Sequence, residues 1–127
     1  MNLQDRSGDA SVDAAQQLSE LVRYLNHATL DAPADALPDP STINHVLSRL
    51  YTACRGLPQL LGQISTRVTV LGADPDLAAG NSKDPQALIA RTSEGLTNAS
   101  EAVRAVLAGI GDAQRAVDWL YLNRGDE

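Results

Sequence analysis

A chain of 127 residues with a formal net charge of −6 is the size of one domain built on a single core. Its sign argues against a general electrostatic hold on nucleic acid or on an anionic membrane. The hydrophobic fraction of 43% includes no Phe, one Trp and three Tyr, and a core of aliphatic and small side chains leans towards helix and away from sheet.

Residues 1–8 are polar and without periodicity, and are read as a loose tail. The first helix is expected over about 9–30, capped by Asp9 or Ser11, with Ala14, Leu18, Leu21, Leu25 and Ala28 on one face and Ala15 and Val22 widening it. Asp31 to Pro40 carries three prolines and cannot continue a helix.

Asp39-Pro40 or Ser41 starts the second helix, over about 41–72, and this stretch organises the chain. Ile43, Leu47, Leu50, Cys54, Leu57, Leu61, Ile64, Val68 and Leu71 alternate spacings of four and three, the pattern of a seam between packed helices. Pro58 interrupts the backbone bonding, but the phase runs through it, so one helix bent at Pro58 is expected. Cys54, flanked by Leu50 and Leu57, should be buried and slow to react.

Gly72 to Asp84 reads as a second connector, with one helical turn after Pro75. Asp84-Pro85 opens the third helix, over about 85–124, whose stripe is Ile89, Thr92, Leu96, Ala99, Val103, Val106, Ile110, Ala113, Val117 and Leu120. Beside it Gly95, Ala102, Gly109 and Ala116 recur every seven residues, a file that admits a close neighbour. The fold class is all-α, an antiparallel up-down-up three-helix bundle in a single domain spanning 1–127. At 1.5 Å per residue the helices are roughly 33, 48 and 60 Å long, so the first leaves apolar surface uncovered at one end.

No catalytic constellation stands out. His45 faces away from the seam with Arg49 one turn on, an arrangement comparable to histidine phosphotransfer domains. The lysine and glycine that typically follow the histidine there are replaced by Val46-Leu47-Ser48-Arg49, so the plain reading is a surface histidine, and the alternative is a phosphotransfer or small-ligand role on the outer face of the second helix. Asp31, Asp35 and Asp39 lie on non-helical backbone, and Asp74, Asp76 and Asp84 lack the glycine and terminal glutamate of a calcium loop. Two histidines and one cysteine far apart offer no zinc site, so no metal and no cofactor is expected. Between Ser41 and Gly72 stand Arg49, Arg55 and Arg67 and no acid. Seven acids against two arginines precede them and nine acids against five bases follow, so a basic helix complementing acidic neighbours is the simplest reading. Along the third helix Arg91 with Glu94, Glu101 with Arg104 and Asp112 with Arg115 are expected to pair.

The last feature is Trp119 with Tyr121 and Leu122. Trp119 and Leu122 fall off the seam, and need cover from Pro33, Leu37 and Pro38 of the connector or from another molecule. Val46-Leu47-Ser48-Arg49-Leu50 and Arg55-Gly56-Leu57-Pro58-Gln59-Leu60-Leu61 resemble small Ala-rich helical proteins of unassigned function from Streptomyces and related actinobacteria. The resemblance covers the middle third and implies a packing motif without an active site. The expected function is therefore non-enzymatic, through a protein partner or a homodimer, with no nucleic acid and no membrane partner. One cysteine makes no intramolecular disulfide, and Met1 to Ala10 hold no apolar signal core, so a cytoplasmic setting is expected.

Overall fold

The computed structural model describes residues 2–30 and 35–123, and every regular element among them is helical. Helix α1 spans Gly8–Ala28, α2 Pro40–Arg55, α3 Leu57–Leu71 and α4 Pro85–Val117, with a short 3-10 turn at Gly80–Ser82 before α4. Helices α1, α2 and α4 each start on a side-chain acceptor. Ser7 Oγ accepts from the Ala10 N–H at 3.1 Å, Asp39 Oδ1 from Thr42 at 2.7 Å and Asp84 Oδ1 from Gln86 at 3.1 Å. The cap of α1 is thus Ser7, ahead of the expected Asp9 or Ser11, and prolines occupy the first turns of α2 and α4.

The long middle helix is present as α2 and α3, joined at one residue. Gly56 keeps right-handed helical angles, φ −81° and ψ −13°, and its carbonyl accepts from the Leu60 N–H at 3.1 Å. The chain bends here and does not loop out, two residues before Pro58, whose missing N–H deprives Cys54 of its helical donor.

The bent helix runs antiparallel to α4. Asn44 Nδ2 donates to Asp118 Oδ1 at 3.3 Å, Ser65 Oγ to Ser93 Oγ at 3.1 Å, and Gln86 Nε2 to the Gly72 carbonyl at 2.9 Å. The start of α2 therefore meets the end of α4, and the end of α3 meets its start. Gly72 makes the tightest approach: a Cβ there would lie 2.7 Å from Ile89 Cδ1 and 3.1 Å from the Thr69 carbonyl oxygen.

The seam of α4 is rotated by one residue along half its length. Ile89, Leu96, Val103, Ile110 and Val117 are half-buried as expected, but their alternates are Ser93, Ser100, Leu107 and Gln114. Thr92, Val106 and Ala113, expected on the seam, are exposed. On α3 the same shift turns Ser65 inward and leaves Ile64 and Leu71 exposed. Two helices bury one narrow line of side chains. The apolar residues next to that line, Ile64 and Leu71 on α3 and Val106 on α4, wait for a further neighbour.

That neighbour is not α1. No α-carbon of α1 lies within 8 Å of one in another helix, although packed helices sit only about 8–10 Å apart between axes. Among the described residues none is buried. Cys54 is half-buried and not buried as expected, because α4 covers one flank of α2 alone. The file of Gly95, Ala102, Gly109 and Ala116 faces outwards: a Cβ on Gly95 or Gly109 would meet nothing within 4 Å.

Helix α4 stops at Val117, short of the expected 124, a position outside the described residues. The Trp119 and Leu120 N–H groups turn to the Ala116 and Val117 carbonyls at 3.2 and 2.9 Å, tightening the last turn. Asn44, in the first turns of α2, lies opposite Asp118, so residues beyond it have little helix to pack on, and packing supplies most helical stability in proteins. The second connector makes a single hydrogen-bonded turn at Pro75, where the Leu77 N–H donates to the Asp74 carbonyl at 3.1 Å, and its 3-10 turn lies later, at Gly80–Ser82, with Asn81 and Ser82 both at φ 58°.

Candidate interaction surface

The unpacked position of α1 opens an apolar groove of about 420 Å³ between it and α2. From α1 come Leu18, Leu21, Val22 and Leu25, spaced as one helical face. From α2 come Thr42, His45, Val46, Arg49, Leu50 and Ala53, again on one face. The walls hold large side chains in an open state, with Leu18 51% and Leu21 61% exposed. A second hollow of about 440 Å³ shares Leu25, Val46 and Leu50 and continues the groove beneath Ala36 and Leu37 of the first connector.

His45 and Arg49, the residues singled out for phosphotransfer, both line this groove, and His45 is exposed. Arg49, Arg55 and Arg67 make no ion pair among the described residues; the pair formed there is Asp112 with Arg115, on the exposed face of α4. Among the described residues the basic segment therefore forms no ion pair with its acidic neighbours: α1 stands too far off and α4 turns its charges outwards. Arg115 also lines a hollow of about 540 Å³ beside Tyr51, together with Arg104. With Arg115 held by Asp112, that hollow has the guanidinium of Arg104 to offer. Among the described residues no three His, Cys, Asp or Glu side chains converge as metal ligands, and no helix is long and apolar enough to cross a membrane.

The second half of the surface follows α4. Trp119 is 86% exposed, Tyr121 79% and Leu122 49%. Of the proposed cover, Leu37 lies against the groove and Pro38 is exposed, while Pro33 falls outside the described residues. Asp118, hydrogen-bonded to Asn44, places this strip at the end of the molecule where α2 begins, beside the groove.

The strip was legible in sequence from its aromatic content. The groove was not, because Leu18, Leu21 and Leu25 carry the signature of a packed stripe whether or not a helix closes on them. The available signal was Val46 and Ala53, apolar residues off the seam and seven apart, flanking Leu50. No family model matches the chain, and no curated protein or solved structure matches it.

Proposed function

We propose that this is a non-enzymatic, cytoplasmic helical protein that works by binding protein, with a second copy of itself as the partner, through the end that carries Trp119, Tyr121 and Leu122. The observation that carries the reading is a 127-residue chain with no buried residue among those described and a Trp left 86% exposed. Apolar surface of that extent is driven out of water by association, and Trp and Tyr are the side chains that most often anchor such contacts. The closed up-down-up three-helix bundle belongs to the same proposal: it is the state α1 reaches once a partner helps to cover its face. The reading assigns no cofactor, nucleic acid or membrane to the chain.

Sedimentation at micromolar concentration tests it. The wild type should run as a dimer and Trp119→Ala as a folded monomer. A wild-type monomer with Trp119 shielded by its own chain would remove the proposal. A second reading, phosphoryl transfer at His45 with Arg49 stabilising the anion, draws on the exposure of His45 in the groove. It predicts that a phosphodonor labels the protein and that His45→Ala abolishes the label.

A further inference from the structure

We infer that the groove between α1 and α2 is the receptor for the Trp119 strip of a second copy of this chain, so that the two copies exchange strips in a reciprocal dimer. The inference rests on the self-association proposed above and names both of its surfaces.

Area is the first support. A compact monomer of this mass, 13.4 kDa, exposes roughly 6,500 Å² by the usual scaling, whereas this chain exposes 10054 Å². The excess of about 3,500 Å² is several times the ~800 Å² that each partner contributes to a standard stable interface. Position is the second. The Asn44–Asp118 hydrogen bond holds the root of the strip beside the first turns of α2, whose Thr42 and His45 begin the groove. Donor and receptor thus share one end of the molecule, and a two-fold axis at that end lets each copy insert its strip and receive the other's in a single contact.

Chemistry is the third. The groove is walled by Leu18, Leu21, Val22 and Leu50, and the strip offers Trp119, a side chain whose burial removes about 150–250 Å² from water. The chain's own Trp119 leaves that groove open although it is rooted beside it. At the rim Arg49 has no ion-pair partner among the described residues, and Asp118 arrives next to Trp119 with the opposite charge.

The test uses the full chain and three variants. Trp119→Ala removes the donor. Leu21→Glu charges the receptor on α1, none of whose α-carbons comes within 8 Å of one in another helix, so the α2 to α4 pair stays folded by circular dichroism. Each variant should weaken dimerisation by about thirtyfold or more, the scale of losing one interface anchor. The two variants mixed should dimerise more tightly than either alone, because one intact strip then faces one intact groove. The double variant should not recover. Trp119 is the one tryptophan, so its emission should also shift to the blue as wild-type concentration rises, and less so in Leu21→Glu. A dimer that Trp119→Ala breaks and Leu21→Glu leaves intact, with no rescue on mixing, would overturn strip-in-groove docking in favour of strip against strip while self-association stands. A wild-type monomer would overturn both, and blue emission at every concentration would then show Trp119 shielded by its own chain.

Discussion

Helix α1 and the α2–α3/α4 pair are both amphipathic, yet only the pair is held together. The pair has polar cross-links at three levels, at Asn44, Ser65 and Gly72, and a half-buried line between them. Helix α1 has Leu18, Leu21, Val22 and Leu25 on one face and comes within packing distance of no helix. An apolar stripe is thus a necessary condition for docking and not a sufficient one. What separates the two is complementary detail: small or polar seam residues such as Ser65, Ser93 and Gly72 let α3 and α4 approach closely, and the wall of α2 facing α1 carries His45 and Arg49 instead.

The largest effect that sharpens this contrast comes from adding one methyl group at two glycines. Gly72→Ala places a Cβ against Ile89 Cδ1 and the Thr69 carbonyl, and should cost about 1–3 kcal/mol in urea unfolding. Gly109→Ala meets nothing within 4 Å and sits in mid-helix, so it should stabilise by about 0.5–1 kcal/mol. If both destabilise alike, the outer face of α4 is covered and the description of that face is wrong.

Next in size is a leucine truncation on each side. Leu61→Ala on the half-buried seam should cost about 1–2 kcal/mol, below the range for fully buried leucines. Leu21→Ala, measured at concentrations where the chain is monomeric, should change stability by less than about 0.5 kcal/mol. Equal costs would mean that α1 packs as firmly as α3.

Caps give a smaller pair. Asp84→Ala should cost about 1 kcal/mol, because α4 is part of the cooperative unit. Ser7→Ala should lower helix content at α1 without moving the main transition. The smallest effect is acidic. The Ser7 N–H donated at 2.9 Å holds the Asp5 carboxyl below its ordinary range. The order this gives the turn before α1 is present above the ordinary aspartate range and is lost as pH falls through the lowered native value. Amide shifts of Ser7 followed by NMR on acidification should show it, while those of α4 stay fixed.

Much of this fold could be read in the sequence, because its punctuation is local. Asp39-Pro40 and Asp84-Pro85 mark helix starts through a side-chain acceptor and a ring that needs no donor, and Pro58 marks the bend by the donor it lacks. What could not be read is set by neighbours. Thr92 and Ser93, or Ile64 and Ser65, differ by one residue in rotation, and the more apolar member of each pair was the natural choice for the seam. Close approach favoured the serines, and the apolar partners were left outside. The end of α4 was misjudged for a related reason: the three-four spacing continues through Leu120, but no helix reaches far enough to support it. Trp119 was legible from its place off the seam as an aromatic that its own helix does not cover, and it is 86% exposed, whereas the groove depends on how far α1 stands from α2, a distance that no spacing encodes.

Hydrogen exchange of the α1 amides, followed by mass spectrometry at protein concentrations well below and well above the midpoint of dimerisation, tests the central claim most directly. If a second copy completes this molecule, peptides from Gly8–Ala28 should exchange almost freely in the dilute sample and become protected by tenfold or more in the concentrated one. Peptides from the middle of α4 should change much less. Protection of α1 that is the same at both concentrations would contradict the account, because α1 would then be covered by its own chain or by nothing.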